Sequence, residues 1–133
     1  MKKMMFAMLA LVAACVQAVT KFDVAESVWP AGLEQEMNTL IAFKAAFDLN
    51  AGEKPVLKLV AWYSYRVKLN GTFVAFGPAR GPKGFFRPDE LDLAKAAKPG
   101  RNDLVVEVAG YNVPNFYLME QAPFFKAEVV VDG

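Results

Sequence analysis

The sequence has no histidine at all, and its 133 residues include one cysteine, Cys15. A Ser-His-Asp triad, a Cys-His nucleophile pair and a histidine metal site are therefore excluded. A lone cysteine also excludes an internal disulfide, so stability must come from packing. Charge of one sign is scarce as well, with 15 basic residues against 14 acidic ones. Such a balance gives no electrostatic footprint for nucleic acid.

One apolar run stands apart from the rest. Lys2 and Lys3 precede the apolar stretch Phe6 to Ala14, and small or modest residues follow at Val16-Gln17-Ala18. This is the layout of a secretory signal over residues 1–18, too short for a stable membrane span. A second reading stays open. Val12-Ala13-Ala14-Cys15 resembles a bacterial lipobox, in which Cys15 is lipidated and becomes the mature N-terminus after a signal over residues 1–14. Both readings export the protein to the periplasm, the medium or the bacterial cell surface. Only lipidation at Cys15 brings a membrane into play. About 115 residues remain, enough to bury roughly two-thirds of the unfolded surface.

Residues 19–133 alternate with period two, the signature of strands. Ile41, Phe43, Ala45, Phe47 and Leu49 share one face. Leu57, Leu59, Ala61 and Tyr63 share another, and Val56, Val60 and Trp62 make the opposite side of that strand apolar too. A strand apolar on both sides belongs in the middle of a sheet or between layers. Asn70-Gly71 between alternating runs predicts a two-residue type I′ hairpin. Its register sets Leu69 opposite Thr72, Lys68 opposite Phe73, Val67 opposite Val74, Arg66 opposite Ala75 and Tyr65 opposite Phe76. Tyr65, Val67, Leu69, Val74 and Phe76 then face the core, and Arg66 and Lys68 face water.

After the hairpin, "GPARGPKGFFRPDELDL" shows no period, and "DLAKAAKPGRND" holds at most one helical turn. Leu104, Val106 and Val108 mark another strand, and Phe125, Ala127, Val129 and Val131 the last. Asp132-Gly133 reads as the start of a further hairpin, which predicts that the chain is C-terminally incomplete. Short strands with regular turn signals predict an all-β, jelly-roll β-sandwich, with an all-β barrel as the alternative.

The run "YRVKLNGTFVAFGPARGPKGFFRPDELDLAKAAKPGRNDLVVEVAGYN", preceded by "EMNTLIAFKAAFDL", resembles the N-terminal accessory domain of bacterial alpha-L-rhamnosidases, a galactose-binding-like β-sandwich. The Asn-Gly hairpin and the Pro-Gly-x-Asn strand are common to many glycosidase sandwiches. Gly77 to Arg87 and Ala109 to Asn112 are the more specific part. The resemblance implies a glycoside hydrolase whose catalytic domain, a separate helical barrel, lies elsewhere in the polypeptide and is this module's partner. It transfers no catalytic residue to this chain.

Three residue groups carry chemistry worth weighing. Asp89, Glu90 and Asp92 are close in sequence but lack the glycine and the distal glutamate of a helix-loop calcium site. A solvated turn, a calcium site and a catalytic pair remain as readings, and no other cofactor is indicated. The loop "GPARGPKG" does not read as a phosphate cradle, because Pro78 and Pro82 each remove a backbone N–H. Its stiffness instead fixes Arg80 and Arg87, suited to bracing one domain against another, with Arg80 also suited to a sugar hydroxyl or acid. The loop "GYNVPNFYLMEQ" offers the mixture of aromatic faces and amide or carboxylate groups that carbohydrate requires. Its candidates for sugar contact are Tyr111, Asn112, Asn115, Tyr117, Glu120 and Gln121, with Trp29 and Trp62 as further platforms. The alternative to an accessory domain is a free-standing carbohydrate-binding or surface-adhesion lipoprotein.

Overall fold

The computed structural model describes residues 20–79, 81–82, 84–113 and 121–132. Among the described residues seven strands form two antiparallel sheets that face each other as a β-sandwich. They are β1 (Thr39–Leu49), β2 (Lys54–Ala61), β3 (Tyr65–Leu69), β4 (Thr72–Gly77), β5 (Asp89–Asp92), β6 (Gly100–Gly110) and β7 (Phe125–Asp132). One sheet runs β1-β6-β3-β4 and the other β5-β2-β7.

The period-two pattern builds the core. Leu57, Leu59 and Ala61 of β2 meet Tyr65, Val67 and Leu69 of β3 and Leu104, Val106 and Val108 of β6, with Phe125 and Leu93 closing the cluster. All are buried. The strand read as apolar on both sides, β2, is the central strand of its sheet, and Val60 and Trp62 on its second side are buried as well. On β1, Ile41, Phe43 and Phe47 are half-buried and Leu49 is buried, but Ala45 lies exposed at the sheet edge.

The Asn70-Gly71 turn forms, with φ of 52° and 79° at its two residues. A side chain at Gly71 would be strained by that positive φ, which is why the turn needs glycine there. The predicted register holds for Leu69↔Thr72 and Lys68↔Phe73 and then shifts by one at a β-bulge. Beyond it Val67 pairs with Ala75, Arg66 with Phe76 and Tyr65 with Gly77. Phe76 is thereby turned out of the core and is 81% exposed. An extra residue in one strand reverses every side chain after it.

Two further differences have physical causes. The stretch without period contains a short strand, β5, whose four residues are too few to show alternation. Strand β6 begins at Gly100, four residues before its apolar pattern, because its first part pairs with Ala46 to Leu49 at the end of β1. There Asn102 is wholly buried. Its side-chain oxygen accepts from the Lys98 N–H (2.9 Å) and the Asn70 amide (2.9 Å), while its NH2 donates to the carbonyls of Lys98 (2.7 Å) and Gly100 (2.9 Å). Asn70 also donates to the Ala96 carbonyl and accepts from the Asp103 N–H. Asn70 and Asn102 thus tie the Asn70-Gly71 turn, the turn before β6 and the start of β6 together at one end of the sandwich.

The chain before β1 straps the outer side of the small sheet. Glu128 of β7 accepts from the backbone N–H groups of Asp23, Val24 and Ala25 at 3.0–3.2 Å and pairs with Lys58 of β2 at 3.4 Å. The ammonium of Lys126 sits over the Phe22 ring.

Candidate functional site

The two ends of the sandwich differ in kind. Tight turns at Asn50–Glu53 and Asn70–Gly71, with the Leu93–Pro99 turn, occupy one end. At the other end β2, β4 and β6 finish and β1, β3, β5 and β7 begin, and the described residues 62–64, 84–88, 111–113 and 121–124 and the approach to β1 lie there. Loops held up by a rigid scaffold are where binding groups are usually placed.

Aromatic contacts join these loops. The edge of one ring packs on the other in Tyr63–Tyr111, with centroids 4.5 Å apart, and in Phe86–Phe124, at 4.9 Å. The backbone N–H of Trp62 donates to the Phe124 carbonyl, and that of Ala109 to the Ser64 carbonyl. Trp29 tilts against Phe43, which stacks on Phe125 at 4.4 Å across the two sheets. Gly110 leaves room for this packing. A Cβ there would lie 2.7 Å from the Trp29 ring and 2.5 Å from the Thr39 hydroxyl.

Beneath the loop 78–88, the Tyr65 hydroxyl donates to Asp89 Oδ2 at 2.6 Å, and Arg87 Nε lies 3.6 Å from the other carboxylate oxygen. Burial, and then the hydrogen bond to the Asp89 carboxylate and its charge, push the Tyr65 hydroxyl well above the usual tyrosine range. Gly77 fits against this hydroxyl, where a Cβ would approach within 2.5 Å. The following Gly77-Pro78 peptide is cis.

The residues singled out in the sequence separate as follows. Tyr111 is 41% exposed at the loop surface, with its ring supported by Tyr63. Asn112 takes a left-handed conformation (φ 45°), and its amide donates to the Glu34 carbonyl at 3.3 Å. Gln121 is half-buried. Arg87 is exposed and paired with Asp89, a contact inside the domain. Trp62 is buried, and Trp29 is half-buried with its indole N–H donating to the Leu33 carbonyl, so neither presents an open ring face like that of a surface platform. Arg80, Asn115, Tyr117, Glu120 and Cys15 lie outside the described residues.

Asp89, Glu90 and Asp92 sit on strand β5 rather than on a loop, so alternation sends Asp89 to one side and Glu90 and Asp92 to the other. Asp89 is engaged by Tyr65 and Arg87, and Asp92 accepts from the Ala94 N–H at 2.8 Å. Among the described residues no group of three or more acidic or sulfur ligands is gathered for a metal ion. The support of Tyr111 by Tyr63, the Tyr65–Asp89 link and the Phe86–Phe124 contact were not anticipated. Each joins residues from separate strands or loops, and nothing in local spacing announces it.

No family model and no curated protein matches the sequence. Solved structures do. The chain is similar to the GH78 family rhamnosidase of Bacillus sp. GL1, with a TM-score of 0.70 and 29% identity, over 80% of this chain and 12% of that one. It shares its fold with part of the alpha-L-rhamnosidase from Dictyoglumus thermophilum (TM-score 0.55, 17% identity, 86% of this chain and 14% of that one). The fold is also found in a beta-glucuronidase of an uncultured Clostridium sp. (TM-score 0.51, 17% identity, 71% of this chain and 20% of that one). The chain therefore spans a fifth or less of the length of each of these enzymes. It is a small all-β domain structurally related to rhamnosidase- and glucuronidase-like glycoside hydrolases.

Proposed function

We propose that this chain is the non-catalytic N-terminal β-sandwich of an exported alpha-L-rhamnosidase-like glycoside hydrolase. Its role is to brace the catalytic domain or to position a rhamnosylated glycan. The observation that carries the reading is the likeness to 12% of the Bacillus sp. GL1 rhamnosidase across 80% of this chain, at 29% identity. The uneven ends of the sandwich support it, since the long loops with Tyr111, Arg87 and the exposed Phe85 share one end. The engagement of Asp89 by Tyr65 and Arg87 supports a structural use for that carboxylate. All but one of the strand-to-strand connections cross between the sheets, which supports a jelly-roll reading of galactose-binding-like type.

The test is a chimera in which this chain replaces the matching segment of the Bacillus sp. GL1 rhamnosidase. A soluble chimera that hydrolyses an aryl rhamnoside is expected. A chimera that misassembles, beside a parent enzyme that works, rejects the bracing role. Rhamnoside cleavage by the purified chain alone rejects the non-catalytic assignment.

A further inference from the structure

The bulge in the β3–β4 hairpin has a second effect. Phe73 and Phe76 are three residues apart, and in a regular strand they would face opposite sides of the sheet. The shift after Lys68 brings both to the outer face. Phe73 stands opposite Lys68, Phe76 stands opposite Arg66, and those two basic residues alternate with the buried Val67. Phe73 is 54% exposed and Phe76 81%. An extra residue that places two phenylalanines in water is a local feature in need of a use.

The outer face is ordered in rows across the strands. One row runs Phe76, Arg66, Glu107, Ala42, and the next runs Phe73, Lys68, Val105, Lys44. Each begins with an aromatic ring followed by a cation, and the rows are about 7 Å apart, the span of two strand residues. Glu107 receives hydrogen bonds from Arg66 Nε and from Lys68 Nζ, and these hold its carboxyl below the usual range. Arg66 nonetheless keeps 53% of its side chain exposed, and the rows carry three cations to one carboxylate.

We propose that this face binds an extended anionic polysaccharide, a chain of uronate sugars, with one sugar ring on each aromatic and its carboxylate on the adjoining cation. The apolar face of a pyranose stacks on an aromatic ring, and a guanidinium fork matches a carboxylate. The repeated ring-plus-cation pair fits a repeating polymer. A protein partner would call instead for a central pocket to receive an anchor residue, whereas a cavity seen among the described residues opens between the sheets, lined by Phe43, Leu57, Val106 and Phe125. The face is distinct from the long-loop end, so its test is independent of the accessory-domain reading.

The experiment is affinity electrophoresis of the purified chain through gels containing polygalacturonate or, separately, neutral dextran. Retardation by polygalacturonate alone is expected, weakened at least tenfold in Phe76→Ala and in Arg66→Gln and kept in Phe76→Tyr. Lys95→Gln, which removes an exposed charge in the β5–β6 turn, outside the two rows, should leave retardation unchanged. Thermal melts verify that each variant is folded. No retardation of the parent overturns the proposal. So does equal retardation by dextran, or retention undiminished in folded Phe76→Ala, which marks simple ion exchange.

Discussion

The hydroxyl of Tyr65 on β3 and the carboxylate of Asp89 on β5 form a 2.6 Å hydrogen bond that joins the two sheets along one side of the sandwich. Tyr65→Phe removes the donor and leaves Asp89 with Arg87 alone. The expected loss is about 1.5–3 kcal/mol, the range for a hydrogen bond to a charged group, read by urea denaturation. The same bond predicts alkaline sensitivity. The hydroxyl titrates above its ordinary value of 10.0 in the folded chain. Its contribution is complete below about pH 10 and falls as pH rises further, because the unfolded chain ionises first. The stability gap between parent and Tyr65→Phe should narrow above pH 10, and a gap that widens there contradicts the assignment.

Asn102→Ala should be among the costliest polar substitutions in the chain. It removes four hydrogen bonds from a wholly buried site. At about 1 kcal/mol net for each, a loss of roughly 3–4 kcal/mol is expected in denaturant titration. Asn102→Asp keeps the acceptor but replaces the donor, and should recover only part of it.

Glu128 predicts an acid-labile strap. The N–H of Val24 leads the groups that lower its carboxyl, followed by those of Asp23 and Ala25 and by Lys58, against the opposing effect of burial. The net result is a fall from an ordinary 4.5 to about 2. Its contribution is full above about pH 4.5 and is lost as pH drops toward 2. Amide exchange at Asp23, Val24 and Ala25, followed by NMR after correction for intrinsic rates, should accelerate over that window. In Glu128→Gln the exchange should already be fast at neutral pH and nearly flat across the window.

Phe76→Ser should change stability by less than about 0.5 kcal/mol, as an exposed substitution does. Val67→Ala, on the buried face of the same hairpin, should cost clearly more. A large loss for Phe76→Ser would restore the unshifted register.

Gly110→Ala inserts a methyl group against Trp29 and Thr39. The overpacking should cost about 1–3 kcal/mol. A shift in tryptophan fluorescence should accompany it, because the Trp29 ring must move.

These cases show what the sequence makes readable. Alternation located β1, β2, β3, β6 and β7 and their inward residues, since burial on one side of a strand leaves a direct imprint on composition. The Asn-Gly pair located the turn, because few residues tolerate positive φ. The bulge left no such imprint: "TFVAF" alternates as well in one register as in the other, and tertiary pairing decides. Four residues of β5 cannot display a period. The role of Asn102 escaped because a buried amide and a solvated one look alike in sequence. At the candidate site Tyr111 could be read as an aromatic, and it stands 41% exposed. The partners that orient it come from distant positions.

The sandwich is fastened unevenly along its two long sides. Tyr65 and Asp89 clasp the side where β4 and β5 lie, while on the side of β1 and β7 the rings of Phe43 and Phe125 meet beside a cavity of about 240 Å³ lined by Leu57, Leu104, Val106 and Ala127. The domain is built like a book with a hydrogen-bonded spine and a fore-edge that, among the described residues, is closed by packed rings and the Val28–Phe125 bridge. Small apolar probes such as xenon should enter through the fore-edge, and that margin is where the two leaves should first part under pressure or heat.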